Sequence, residues 1–599
     1  MKKILTVFCI LLVSISCKDE ATTKNTTTKA DTDVSAKFNT MLEDYYEEGL
    51  QLNPIQATFT GDNRFNDQFP NPLAYETVTK VKAHFTKYKE ALEKFDDESL
   101  SDSEKMSKAI LKWECDINLE GFHYKSEYFP IDQMWSINLM MGQLASGASA
   151  QPFTTVEDYD KWLNRLDGYI AWMSSAGEKM KEGMAAGYVL PKSLIIKVLP
   201  QLKALTVKDP EAHLFYSPIK NFPDSFSEED KKQLTKKYTQ MVTERIVPAY
   251  EVLHEFMSTE YLDAGRTTSG IAAIPNGEAF YNYQIKLYTT TDMTANEIHE
   301  LGLAEVARIS NEMEKIKDQV GFKGDLKAFF NEVRNKKELM PFTEPQQVID
   351  NFNAIHDRMK PQIEKLFDVK PKTPFEVRRT EEFREKSASA EYNPGSLDGT
   401  RPGIFYTPIP DVTKYNTYSD ESLFLHEAIP GHHYQISLTQ ESTTLPKFRK
   451  TLWYSGYGEG WALYSESLGK ELGLYTDPYQ YFGMLGAEMH RAVRLVVDTG
   501  LHAKGWTREQ AIQYSLDNEA VSEAGITSEI ERYMANPGQA LSYKIGQLKI
   551  RELRARAETA LGDTFDIRQF HNEILETGCV PLALLEDKID NWILRASDK

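Results

Sequence analysis

A chain of 599 residues with 69 basic and 89 acidic side chains carries a net charge of −20, which argues against a nucleic-acid partner and for an acidic, soluble surface. The length suffices for several cores or one large helical body. Four cysteines, one of them in an apolar leader, exclude a disulfide framework and a thiol-metal site.

Met1–Ser16 opens with Lys2-Lys3, continues as an apolar run from Ile4 to Ile15, and ends at Ser16-Cys17. The run is too short to span a bilayer as a mature helix and reads as a secretory signal. A cysteine directly after a small residue resembles a bacterial lipoprotein signal, which makes Cys17 the lipidated first residue. Ser14 stands where that pattern prefers Leu, and an ordinary signal peptide cut nearby is the alternative. The lipid on Cys17 is then the only membrane attachment, and the expected location is the cell envelope, as an outer-membrane lipoprotein, periplasmic or surface-exposed. Lys18-Asp19-Glu20 resembles the export tag of surface-displayed lipoproteins in some Gram-negative bacteria. Residues 17–36 are predicted to be a disordered tether, since Lys18–Ser35 has no large apolar side chain except Val34. Cys9 leaves with the signal, and Cys115 and Cys579 leave one long-range pairing open.

From about Lys37 to residue 599 the pattern is helical, as one domain or as two lobes meeting near residue 370. Apolar residues recur with helical period over 37–52, 75–95, 103–119, 155–186, 227–260, 295–318 and 345–367. Thr294 with Glu297 fits a capping box, and Pro191 a first helical position. Pro248 and Pro361 are expected to kink or split their helices. Trp113, Trp135, Trp162 and Trp172 read as core. The one predicted β element lies between about 374 and 410: Phe375–Arg379 and Ile404–Thr407 have strand character, with turns at Asn393-Pro394-Gly395 and Asp398-Gly399. Such a strand could align a peptide by backbone pairing, with Tyr392 and Tyr406 lining the cleft, or it is a small structural hairpin.

Next comes Leu423–Gln435, LFLHEAIPGHHYQ. His426-Glu427 begins the zinc-protease signature H-E-x-x-H, in which histidines four apart share one helix face and the glutamate acts on water. Position 430 is Pro430, however, and the next histidines are His432 and His433. On a straight helix His432 lies roughly 120° away from His426, and His433 sits about 10.5 Å further along the axis. A break is required, and Pro430-Gly431 can supply it. If Ile429-Pro430 bulges out, His432 becomes the second ligand; His433 is the alternative.

Tyr457–Glu466, YGEGWALYSE, places Glu459 27 residues after His432, room for a second helix to return a carboxylate. Two histidines and one glutamate leave a position open for water, as catalytic zinc requires. Glu466, seven residues on, can orient a ligand histidine. A helix over about 479–503 carries His490, Arg494, Asp498 and His502 at four-residue spacing, a stripe that faces solvent or lines a wet cavity. Arg532–Arg554 contains Pro537, which starts a helix placing Gln539 and Tyr543 four apart. Tyr543 could donate to an oxyanion, and Arg532 or Lys544 could bind a substrate carboxylate.

HEAIPGHHYQ, EGWALYSE, RLVVDTGLHAKGW and PGQALSYKIGQLKIRELR together resemble one bacterial family, the domain of unknown function numbered 885, over about Phe38 to Trp592. That family resembles the mostly helical zinc peptidases with two histidines and a glutamate, the thimet-type oligopeptidases and angiotensin-converting enzyme. The resemblance implies a long helical ellipsoid with a deep channel, zinc on its floor and peptide substrates. It implies His426, one of His432 and His433, and Glu459 as ligands, Glu427 as general base and Tyr543 near the oxyanion. His490 and His502 are further catalytic candidates. Arg494, Arg532, Lys544, Tyr406 and His433 are candidates for contacting substrate. The rival readings are a non-catalytic surface lipoprotein that binds peptides or glycans, and a metal-dependent amidase of small molecules. Oligomeric state has no signature here.

Overall fold

The computed structural model describes residues 29–597 except 148, 382–384, 386, 387, 398 and 400. The signal, Cys17 and the start of the tether lie outside the described residues, as does Asp398 of the second turn. The rest is mostly helical with one small sheet, as the pattern predicts.

Helix α1 (Lys29–Leu52) begins inside the stretch expected to be tether, eight residues ahead of the first periodic segment. The long helices α2 (Val156–Ala186) and α3 (Ala295–Gln319) fall where the period places them, each opened by a capping box, Thr155 with Asp158 and Thr294 with Glu297. Pro248 stands at the start of Val247–Phe256, directly after a π-helical turn at Met241–Ile246, and Pro361 lies where Pro345–Met359 tightens into a 3-10 turn. Pro191 caps Lys192–Ala204 rather than opening it from inside. That helix, Ile137–Ala145, Gly277–Thr289 and Leu326–Asn335 escaped the periodicity reading because they are short, 9 to 13 residues. Trp162 and Trp172 are buried as expected, but Trp135 is 60% exposed.

Strand β1 (Phe375–Arg379) pairs in parallel with β3 (Gly403–Thr407), and β2 (Glu391–Asn393) pairs antiparallel on the other side of β3. The sheet precedes the histidine segment, which forms α4 (Asp420–Glu427) and α5 (His432–Glu441). Behind them come α6 (Ser455–Glu466), α7 (Pro478–Ala503), α8 (Glu523–Ala535) and α9 (Ser542–Leu561).

Two apolar cores support this frame. The larger runs from Phe38 and Ile110 through Met313 and Phe352 to Trp461, Val497 and Trp592. The smaller is built almost wholly from residues 131–261, around Trp162, Tyr169 and Tyr250, with Phe69 added. Cys115 and Cys579 are both buried and free, so no bridge joins them. Among the described residues no helix is long and apolar enough to cross a membrane.

Candidate metal centre

The decisive local event is the break between α4 and α5. Helix α4 stops at Glu427, Ala428 leaves helical geometry (φ −105, ψ −103), and the Ile429-Pro430 peptide is cis. Helix α5 restarts at His432. The expected bulge is thus a full interruption of the helix. Gly431 makes it fit: a Cβ there would lie 2.0 Å from the His426 carbonyl oxygen and 2.3 Å from that of Leu425. Only a glycine lets the start of α5 lie against the end of α4. Trp461 of α6 fastens the loop, its indole N–H donating to the Pro430 carbonyl at 2.8 Å.

The result brings His432, not His433, to His426. Their rings meet edge to face with centroids 4.8 Å apart. Glu459 of α6 completes the group: its Oε2 lies 3.6 Å from His426 Nε2 and 3.4 Å from His432 Nε2. One donor atom from each of the three falls within 4.8 Å of the others. These separations are long for hydrogen bonds but match the edge of a tetrahedron with bonds of about 2.1 Å, roughly 3.4 Å, as around zinc. The donor set fits a borderline cation such as Zn2+. His426 Nδ1 donates to Glu466 Oε1 at 2.8 Å, and Ser422 Oγ donates to the other Glu466 oxygen at 2.5 Å, which turns the Nε2 lone pair toward Glu459. The Nδ1 of His432 is buried without a hydrogen-bond partner.

Charge around the triad is strongly coupled. Burial works against the charged form of His426, but the carboxylates of Glu459 and Glu466 push the ring up to about 9. Burial likewise opposes ionisation of Glu459, yet His432 and His426 hold it far below the usual carboxylate range. Glu427, next to His426, behaves in the opposite way: burial raises it, with His426 and His432 pulling back. Among the described residues nothing hydrogen-bonds the Glu427 carboxylate, so it is free to exchange a proton.

Helix α9 reaches the site because glycines meet: a Cβ on Gly546 would stand 1.8 Å from the Gly456 carbonyl oxygen of α6. That approach puts Tyr543 within the field of Glu459; burial raises the phenol first and the Glu459 charge raises it further.

A cavity of about 1240 Å³ lies between the smaller core and the sheet; neither the triad nor Glu427 lines it, and its link to the centre is Trp453. Met134 and Asn138 line one wall, Asn393 and Tyr406 another, and Gln435 and Trp453 the end toward the histidines. Trp453, 45% exposed, lies 5.7 Å from the His432 ring.

Residues 54–589 match the family described as bacterial protein of unknown function (DUF885). The chain belongs to this family. Its fold is similar to the crystal structure of a candidate lipoprotein from Colwellia psychrerythraea, at 28% identity and a TM-score of 0.85, over 94% of this chain and 100% of that one. A candidate lipoprotein of unknown function from Shewanella oneidensis shares the fold at 19% identity and a TM-score of 0.73, over 92% and 99%. No curated protein matches the chain.

The other predicted residues of this DUF885 chain divide sharply. His433 turns away from the triad: Tyr392 donates to its Nδ1 at 2.9 Å, its ring packs on Phe375, and burial pushes it down to about 4. It pins the sheet to α5 and has no opening to substrate. Lys544 is fully buried, its ammonium held by Glu488 at 2.7 Å, Gln547 at 2.7 Å and Glu305 at 2.8 Å, which leaves no donor for a substrate carboxylate. His502 sits in the core: Ile271 N–H donates to its Nδ1 and its Nε2 donates to the Tyr533 carbonyl, both at 3.0 Å. His490 is held between Glu519 and Glu529. Arg532 spends its donors on Glu529 and Gln539. Arg494 and Tyr543 stack, guanidinium to ring centroid 4.5 Å. Tyr406 lies in the cavity wall. Sequence reasoning missed Arg491, whose guanidinium stands 5.8 Å from the Tyr543 ring; its i,i+3 spacing from Arg494 was the available signal.

Proposed function

We propose that the protein is a zinc-dependent metallopeptidase that hydrolyses short peptides. The observation that carries this reading is the convergence of His426, His432 and Glu459 beside an unpaired, buried Glu427. Zinc held by those three residues supplies Lewis acidity toward a carbonyl oxygen and lowers the pKa of water. Glu427 accepts a proton from the attacking water and delivers it to the leaving amine, a task served by its raised pKa. The Tyr543 hydroxyl donates to the developing oxyanion. Glu466 keeps the His426 ring in the ligating orientation. In this reading an extended peptide approaches along the cavity that Trp453 lines. The mature chain is tethered to the outer membrane through lipid on Cys17, a reading supported by the description of its Colwellia relative.

Metal analysis and peptide-library mass spectrometry on the purified chain and its Glu427→Gln variant test the enzymatic reading. The chain is expected to hold about one zinc, and the variant to keep it while turnover falls by about 10²-fold or more, the scale of general-base catalysis. A folded chain that never takes up zinc, or a variant with full turnover, overturns it.

A further inference from the structure

We infer that Arg491 and Arg494, on the part of α7 that faces Tyr543, form the subsite for the free C-terminal carboxylate of a peptide. The inference rests on the peptidase reading and names its substrate class: peptides cleaved close to their C-terminus.

Both guanidinium groups are incompletely paired. Arg494 is only 7% exposed; its Nε donates to the Tyr533 hydroxyl and its Nη2 to Glu529, each at 2.9 Å, while its Nη1 is buried with no partner. The Nε of Arg491 is also buried and unpartnered, and its Nη1 reaches only the Ala487 carbonyl at 3.3 Å. Buried guanidinium N–H groups are normally all satisfied, because each orphan costs desolvation energy.

Charge points the same way. Glu529 is shared by Arg494, Arg532 and His490, and Glu519 is taken by His490. Among the described residues no carboxylate lies within ion-pair distance of Arg491. The cluster therefore has more guanidinium charge than carboxylate to meet it, and the surplus sits on the two arginines over the Tyr543 ring, at 5.8 and 4.5 Å. Tyr543 belongs to α9, which packs glycine against glycine on α6 next to Glu459, so the surplus lies on the Glu459 side of the triad.

A planar fork with free N–H groups suits a carboxylate. A terminal carboxylate is fixed to the backbone within one or two residues of a peptide bond, about 3.8 Å each, so anchoring it beside Tyr543 brings that bond to Glu427.

The test is calorimetric and needs no turnover. The whole mature chain carrying Glu427→Gln is titrated with tetra-alanine as free acid, with its C-terminal amide, and with the amide bearing a penultimate Glu. The free acid is expected to bind about 10- to 100-fold more tightly than the amide, the worth of a charged hydrogen-bonded pair. Adding Arg491→Gln, the less buried and less disruptive of the two changes, should remove most of that preference, and Arg494→Gln the rest. Equal affinity for acid and amide overturns the inference, as does a preference that survives both arginine changes. Amide with Glu binding as tightly as the free acid overturns the terminal assignment in favour of an acidic side chain. If the preference holds but the zinc-loaded wild type cleaves no peptide, the peptidase reading falls and the carboxylate subsite stands.

Discussion

Between His426 and His433 the backbone breaks; beneath His490, Arg494, Asp498 and His502 it runs unbroken as α7. Both segments place several polar side chains in apolar surroundings, at four-residue spacing only in α7. The broken one folds two histidines onto one point, because Gly431 allows α5 to start against the carbonyls that end α4. The unbroken one spreads its polar residues along a line: twelve residues from His490 to His502 cover about 18 Å. One end of α7 meets the charged cluster beside Tyr543, and the other enters the core, where Asp498 accepts from Tyr281 at 2.6 Å and His502 is used up by backbone groups. A common helix face does not make a common site; chain reversal does.

The sharpest way to break this contrast is at the two adjacent histidines. His432→Ala removes a ring whose Nε2 faces Glu459, and zinc affinity is expected to fall by orders of magnitude in a metal titration. His433→Ala should keep zinc and instead loosen the sheet, since it loses the contacts to Tyr392 and Phe375. Zinc lost from His433→Ala and retained by His432→Ala would reverse the assignment.

A step smaller is Glu466→Gln. The amide still reaches His426 Nδ1 but loses the charge that favours the ligating tautomer, and it disturbs the bond from Ser422. Loss of such an outer partner typically costs about 10- to 100-fold in metal affinity. Unaltered affinity would mean that the ring is held by packing alone.

How much of this was legible beforehand follows the range of the interactions. His426, Glu427, Glu459 and Glu466 come from short motifs whose spacing constrains geometry, and Pro430-Gly431 announced that the helix had to break there. Strand β1 was read with its observed ends, and α3 and α7 to within one residue, because their periods are strong. The fate of His433 was not legible, since it depends on Tyr392, 41 residues earlier, and on a sheet whose packing no local pattern encodes. Lys544 looked available next to Tyr543, yet its partners come from helices distant in sequence, Glu305 and Glu488. Arg491 was passed over because it falls one residue off the four-residue stripe, although a helix also pairs residues three apart.

The break between α4 and α5 depends on α6 through Trp461, fully buried and bonded to the Pro430 carbonyl. Trp461→Phe keeps most of the apolar contact but orphans that carbonyl. Denaturant unfolding is expected to show a loss of about 1–3 kcal/mol, the cost of an unsatisfied buried acceptor plus a small cavity. If zinc affinity falls as well, the tryptophan sets the position of His432; if stability is unchanged, the loop holds itself.

The mildest effect belongs to the far end of α7. Burial pushes the His502 ring down to about 3, against about 6.5 for an unfolded histidine. Between these values the unfolded chain holds the extra proton, so the stability tied to a neutral His502 is complete above about pH 6.5 and drains away as pH falls toward 3, at up to about 1.4 kcal/mol per pH unit. His502→Gln cannot titrate, while its amide can still accept from Ile271 N–H and donate to the Tyr533 carbonyl. Other buried histidines, such as His571, titrate in both proteins and cancel in the difference. Unfolding free energies at pH 7.5 and 5.5 should therefore show the wild type losing about 1.4 kcal/mol more than His502→Gln over that interval. An equal loss would mean that the His502 ring gains its proton without leaving the fold, which a core histidine locked between two backbone groups cannot do, and the ring would then have to face a wet cavity.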